Sequence, residues 1–477
     1  MIELKKPHRC PNCGFNRVAR ESVGIWKCSK CEYTFAGGAY TPVTKLGVVA
    51  KRAAKGAPIE EITKAEAAAE AATEEETHMT TNKPAAKAWV AISCAWLLGF
   101  SMYGALLCVP PMVHIIREEF AITYAQVGFL MSLPLGVLAV AAIPAGMLAD
   151  RIGIKKATMI GAGMMSVGGF LRGATSDYTL LYLFTGLFGL GFTLAFPNLP
   201  KIAFAWFSRE KVGVATGIYA TGIALGGTIP YVITLPILLP ITNTSQGVFY
   251  FWATPAIAAF ILCWIAVEEP PHTEEQSHTV SRERVPPLRI LKDRNLWLAA
   301  LLMFANNMHF YVWVSWTPSL MVLKGATPEL ASAITSIRGW AGLPAMFLAP
   351  LFSYKIGLRK PFLWGSGLLL AFAALWAFYI SFSWGWLLMV LVGLLISGSF
   401  SMILALPAEL SRGRSIGSAT GMILSIGYLG GLIAPWLAGY LFDISGTLDW
   451  SLLGLFLIGL GWALAGALVP ETGRRIR

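Results

Sequence analysis

Charge is what this chain has least of. Only 13% of its 477 residues are Asp, Glu, Lys or Arg and 56% are hydrophobic, more apolar surface than a water-soluble globule can hide. Acidic side chains are scarcer than basic ones, 26 against 37, and none falls in the middle of a long apolar run. The first 30 residues contain no apolar stretch that could engage a translocation channel, so residues 1–78 are expected to stay in the cytosol. A phosphate-cradling Gly-x4-Gly-Lys-Ser/Thr loop is absent, which speaks against ATP-driven pumping, and nothing supports catalysis, so the chain is read as no enzyme.

The charge that is present is unevenly placed: net +8 over residues 1–57, −6 over 58–78 and +9 over 79–477. Five segments follow. They are a cysteine-bearing module at 1-57, an Ala/Glu-rich linker at 58-87 with no apolar stripe, a first helical half at 88-267, a polar central loop at 268-294 and a second half at 295-477.

Cysteine is sparse as well, seven in all, yet Cys10, Cys13, Cys28 and Cys31 form two C-x2-C pairs 14 residues apart. Each pair can curl its thiolates around one cation, and two pairs complete a tetrahedral sulfur shell suited to zinc, with Gly14 permitting the first tight turn. A disulfide framework is the competing reading, disfavoured in a cytosolic module. Lys5, Lys6, Arg9, Arg17, Arg20, Lys27, Lys30 and Lys45, interleaved with Trp26, Tyr33, Phe35 and Tyr40, suit a phosphate backbone, although Trp26 and Phe35 read better as the small core.

The runs Cys10-Pro-Asn-Cys-Gly14, Gly24-Ile-Trp-Lys-Cys-Ser-Lys-Cys31 and Tyr33-Thr-Phe-Ala-Gly-Gly-Ala-Tyr-Thr-Pro42 resemble the zinc-ribbon protein of the archaeal and eukaryotic large ribosomal subunit, the L-thirty-seven-ae type. That resemblance, over about residues 7 to 55, implies a small β zinc ribbon that binds rRNA. Glu32 stands where that family usually has glycine.

From about residue 88 onward, twelve apolar runs of membrane-crossing length follow: 88-111, 124-146, 157-175, 179-204, 212-236, 247-267, 295-319, 329-352, 361-382, 384-408, 416-441 and 450-470. With both termini in the cytoplasm, 20 of the 25 basic residues after position 78 fall on the cytoplasmic side, as the positive-inside rule requires of a multi-pass protein of the cell membrane. An internal repeat divides the runs into six and six. Asp150-Arg-Ile-Gly-Ile-Lys-Lys156 recurs as Tyr354-Lys-Ile-Gly-Leu-Arg-Lys360, and Gly213-Val-Ala-Thr-Gly217 recurs as Gly417-Ser-Ala-Thr-Gly421, both 204 residues on.

Gly146-x3-Asp150-Arg151-x-Gly153-x-Lys155-Lys156 resembles the signature loop of the major facilitator superfamily, and the likeness covers about residues 85 to 472. It implies an all-α membrane carrier of two pseudo-symmetric six-helix halves working by alternating access. Physically, Gly153 allows a tight turn, Arg151 belongs to the cytoplasmic cluster, and Asp150 can accept hydrogen bonds from a neighbouring helix N-terminus, so Asp150, Arg151 and Gly153 form a candidate gate. A bare topology signal is the other reading of this loop. Within the superfamily, Pro197-Asn-Leu-Pro-Lys201 with Trp206-Phe-Ser-Arg-Glu210 resembles the nitrate/nitrite and cyanate porters, although Pro134 occupies the position where nitrate porters carry a second arginine.

Ionisable groups deep in a span point to function. At about 1.5 Å per residue, Arg338 lies about 13 Å below Glu329, and Asn306, Asn307 and His309 lie about 16 to 21 Å above Asn295, a similar depth. One guanidinium fork among neutral hydrogen-bonders suits a small planar anion, with Tyr103 lining the path. The alternative is an arginine that snorkels or bonds a backbone carbonyl. His309 and Glu409 are the side chains that could carry a proton, which leaves exchange, facilitated passage and proton symport open. The leading reading is therefore a monomeric carrier of a small anionic solute in a lipid bilayer, with a zinc ribbon in front. The alternative is a structural zinc-binding ribosomal protein fused or misjoined to a membrane carrier.

Overall fold

The computed structural model describes residues 10, 13, 18–22, 25–36, 84–207, 211–266, 292–410 and 416–473, which fall into two units, Met1–Ala85 and Ala86–Arg477. Nearly all of the expected linker at 58-87 and central loop at 268-294 lies outside the described residues, as do Gly14 and the side chain of Asp150.

In the first unit, β1 (Val18–Ser22), β2 (Ile25–Cys28) and β3 (Thr34–Ala36) form an antiparallel sheet in the order β1-β2-β3. The register pairs Val18 with Cys28 and Trp26 with Phe35. Trp26 is fully buried with Cys10, Val18 and Cys28, and Phe35 packs against them, so these two aromatics are core as expected from sequence. Tyr33 stays exposed, stacked on Phe35 at 5.8 Å. Glu32 turns the chain between the second cysteine pair and β3 with φ 56°, the left-handed region that costs a side-chain-bearing residue about 1–2 kcal/mol. Glu32→Gly is therefore expected to stabilise the ribbon by about 1 kcal/mol. Hydrogen exchange of the β2 and β3 amides checks this, and unchanged protection would contradict it.

In the second unit, nine helices among the described residues are long and apolar enough to cross a membrane. The three expected spans outside that group are Ile154–Gly173, Arg294–Leu323 and Pro328–Ile356. They are more polar because they bear Lys155 and Lys156, the Asn306-Asn307-His309 run, and Arg338 with Lys355. Counting these, the described residues form twelve spans, the first two being Pro84–Leu107, continued by the short helix Val113–Glu119, and Tyr124–Ile152. The fourth is Tyr178–Ala195 continued by Asn198–Trp206, the fifth runs from Val212 to Thr242, and the sixth is Ser245–Ala266. Lys360–Tyr379, Gly385–Leu410, Ile416–Ser445 and Asp449–Leu468 complete the set.

Side-chain caps set several starts. Thr123 and Gln126 form a capping box on the second span, Asp177 accepts from Leu180 N–H, Asp293 from Asn295 N–H, and Thr327 from Leu330 N–H ahead of Pro328. Two equivalent stops need glycine. Gly153 takes φ 93° and ψ 154°, and its counterpart 204 residues on, Gly357, takes φ 77°.

The sequence repeat is also a packing repeat. A Cβ on Gly189 would meet the Pro134 backbone and one on Gly393 would collide with the Arg338 backbone; Gly226 abuts Phe100 O, and Gly430 abuts Phe304 O. Each contact recurs 204 residues on in the other half. Small residues thus let the backbones of each half approach closely.

The halves meet tightly at one end. Asp443 of the eleventh span accepts hydrogen bonds from the first amides of the second span, Tyr124 N–H at 2.9 Å and Ala125 N–H at 2.7 Å, a carboxylate on a helix N-terminus. Gly128 abuts Pro435 O and Gly439 abuts Tyr124 O. The Tyr231 hydroxyl donates to Val314 O at 2.6 Å, and Ser332 Oγ donates to Tyr231 O at 2.6 Å, tying the fifth span to the seventh and eighth. Toward the opposite end the matching faces stand clear: Gly146, Gly213, Gly217 and Gly421 have no neighbouring atom within 4 Å of where a Cβ would sit. The bundle is closed at the first end and open at the second.

Candidate substrate site and metal centre

Arg338 sits ten residues into the eighth span and is 5% exposed. Gly393, lacking a Cβ, lets its backbone press on the tenth span. Its guanidinium carbon lies 4.5 Å from the centre of the Phe310 ring, a cation–π contact from the seventh span. Tyr103, Tyr231 and Tyr311, contributed by both halves, lie close enough for the guanidinium to act on them electrostatically, and Tyr428 joins them through Tyr103. Among the described residues no carboxylate and no main-chain oxygen pairs with Arg338, and its Nε is buried without a partner.

A second buried arginine supplies the contrast. Arg172, in the last turn of the third span, is 3% exposed. Its Nη1 donates to Ala105 O at 2.8 Å and its guanidinium lies 4.4 Å from the Phe249 ring centre. That is an arginine used as a structural pin, and it lies wholly within the first half. Arg338 has no such main-chain anchor among the described residues.

The other residues singled out from sequence diverge. Tyr103 lies within electrostatic range of Arg338. Asn306 turns to the tenth span, its Nδ2 donating to Ile396 O at 3.0 Å. Asn307 points at the eleventh, its Nδ2 lying 3.3 Å from the Cβ position of Gly427, buried and without a partner. His309 packs edge-on against Trp462 of the twelfth span, 5.8 Å between ring centres. One depth does not mean one direction, because successive helical residues point about 100° apart. Sequence reasoning missed Tyr231, Tyr428 and Phe310. Tyr428 carries a usable signal, an aromatic set between Gly427 and Gly430 on a packing face.

At the open end, Gly153 has the turn conformation anticipated for it, Arg151 is exposed, and Asp150 lies in the last turn of the second span. The equivalent region of the second half is tied down. Arg359 Nη2 pairs with Glu409 Oε1 at 2.7 Å, and the Glu471 carboxylate accepts amide hydrogens from Arg359 at 2.7 Å, Lys360 at 3.2 Å and Gly473 at 2.8 Å. Burial pushes the Glu471 carboxyl up, but these amides outweigh it and hold the group below the usual carboxylate range.

In the ribbon, the sulfurs of Cys10, Cys13, Cys28 and Cys31 lie within 4.8 Å of one another, with 3.7 Å between Cys10 and Cys31 and between Cys13 and Cys28. A tetrahedral ion with metal–sulfur bonds of about 2.3 Å needs sulfurs about 3.8 Å apart, so the donor set fits one zinc-sized ion. None of the four forms a disulfide. Amide hydrogens of Cys31 and Lys30 aimed at the Cys28 sulfur pull its pKa down to about 6, so it is a thiolate at neutral pH.

Two six-span halves, closed at one end and open at the other, with a buried cation that has no anionic or main-chain partner among the described residues, have the architecture of a membrane transporter. The chain belongs to the Major Facilitator Superfamily, whose family model matches residues 95–435. Residues 1–58 match the Ribosomal L37ae protein family. The chain is 26% identical over 405 residues to an uncharacterized transporter, YycB, of Bacillus subtilis, covering 81% of this chain and 95% of that one. It is 22% identical to the cyanate transport protein CynX of Escherichia coli, covering 76% of this chain and 93% of CynX. The ribbon is 47% identical over 55 residues to the large ribosomal subunit protein eL43 of Haloarcula marismortui, covering 12% of this chain and 60% of that protein. Among solved structures, a D-xylose-proton symporter has the same fold, with a TM-score of 0.66 at 18% identity over 81% of this chain and 98% of that one.

Proposed function

We propose that the chain carries a small, singly charged anion across the cell membrane by alternating access, with Arg338 as the group that holds the anion. The observation that carries this reading is the absence, among the described residues, of any anionic or main-chain partner for a guanidinium buried where both halves contribute tyrosines. A guanidinium cannot lose its charge, so something negative has to meet it. Tyr103 and Tyr311 add neutral hydrogen-bonders. Both termini are cytoplasmic, because Arg151, Lys155, Lys156, Lys211, Lys355, Arg359 and Lys360 all belong to the open end. This conformation is then the inward-facing one, with Asp150, Arg151 and Gly153 forming the gate that closes it. The halves run over 88-267 and 295-477, joined through 268-294, and the carrier is a monomer.

The ribbon, over 1-57, holds zinc through Cys10, Cys13, Cys28 and Cys31 and binds rRNA. The likeness to eL43 also favours a second reading, in which this module is a structural ribosomal protein joined to the carrier by gene fusion or misjoining through 58-87. Full-length vesicles tested for uptake of radiolabelled monoanions and of neutral isosteres address the transport reading. Uptake restricted to the anions supports it, and equal uptake of both overturns it. Antibody detection of one polypeptide of about 51.5 kDa in membranes supports a working fusion. A short ribosomal species with a product starting near Met79 supports misjoining.

A further inference from the structure

The same site bears on how the carrier cycles, and the step that follows rests on the anion reading above. Alternating access requires a moment when the site is shut from both sides. For a loaded carrier the anion neutralises Arg338 during that moment; for an empty one nothing does. The guanidinium is already 5% exposed, with Nε buried and unpartnered. Among the described residues no carboxylate acts on Arg338 that could replace the anion. Glu409 is engaged by Arg359 at the open end, Asp443 is held by two amides at the closed end, and no Asp or Glu stands in the middle of a span. The arginine itself cannot release its proton.

We propose that the carrier is an obligate exchanger of singly charged anions: it returns across the membrane only with a second anion bound, and so performs electroneutral one-for-one antiport. An uncompensated buried charge slows the empty return about a hundredfold or more relative to the loaded one. The loaded site has no net charge, so the exchange rate ignores the membrane potential, whereas an empty return would move one positive charge.

The test uses the full-length protein in vesicles with radiolabelled cyanate, formate and benzoate as probes. Each is offered to vesicles containing the same unlabelled anion and to vesicles containing only an impermeant buffer. Exchange predicts uptake into the preloaded vesicles at least about a hundredfold faster than into the others, unchanged when a potassium–valinomycin potential is imposed. Equal rates into both, with an anion transported, overturn obligate exchange and leave the anion reading standing. A strong dependence on the imposed potential also overturns it. No uptake of any probe into either kind of vesicle, from protein shown by its elution profile to be folded, overturns the anion reading and exchange with it.

Discussion

Arg338→Ala is expected to lower anion uptake into vesicles at least about thirtyfold while leaving membrane insertion and elution profile intact. Removing one partner of a desolvated charge pair costs about 2–5 kcal/mol of binding, and the lower bound corresponds to about that factor. Insertion survives because Arg338 anchors nothing: its guanidinium stacks on Phe310, and no main-chain oxygen among the described residues depends on it. Arg338→Lys is expected to recover only part of the activity, because an ammonium keeps the charge but lacks the planar fork. Arg172→Ala provides the opposite result. It removes a hydrogen bond to Ala105 O and the contact with Phe249, so the purified protein should melt earlier while the protein that folds still transports. If Arg338→Ala transports like the parent, Arg338 is not in the site.

The second large effect concerns the ribbon. Structural zinc binds small thiolate sites with an apparent free energy of about 10–16 kcal/mol near neutral pH, and a three-stranded sheet whose core is Trp26, Val18 and Phe35 cannot replace that. Stripping the metal, or making Cys28→Ser, is expected to unfold this unit. Trypsin should then cut after Arg20 and Lys27, which lie in β1 and β2, while the membrane unit stays intact. Metal analysis should fall from one zinc per chain to near none. Protons compete with zinc for the four thiolates, so zinc retention should fall as the pH is lowered, below the value of about 6 to which the Cys28 thiol is drawn without metal. Persistent resistance to trypsin after chelation would show that the ribbon folds without metal.

Much of the membrane architecture was legible in the sequence because a bilayer imposes a length on every crossing. The starts capped by Thr123, Asp177, Asp293 and Thr327 fall within one residue of the expected ones, whereas Tyr124–Ile152, Arg294–Leu323 and Pro328–Ile356 run on past the apolar runs at their C-terminal ends. The 204-residue repeat was legible too, but not which of its glycines pack: Gly222, Gly226, Gly430 and Gly431 abut neighbouring spans, whereas Gly213, Gly217 and Gly421 have no atom close to where a Cβ would sit. What the sequence did not reveal was direction. Asn306, Asn307 and His309 share a depth with Arg338 but turn to three different spans, which depends on the neighbours each helix finds. Tyr231 was hidden for another reason. It lies just before a π-helical stretch, Thr234–Leu238, and the interrupted fifth span gives no regular period from which its face could be read.

The proposed site requires an anion to neutralise a guanidinium that is buried without another charged partner among the described residues. The most direct measurement is thermal unfolding of the purified full-length protein titrated with a monoanion, beside a neutral molecule of the same shape, for the parent and for Arg338→Gln. A ligand at a hundred times its dissociation constant stabilises by about 2.7 kcal/mol. The melting temperature of the parent should therefore rise with the anion, stay put with the neutral molecule, and show no response in the variant. An equal rise in Arg338→Gln would mean that the anion binds elsewhere, and the account would be wrong.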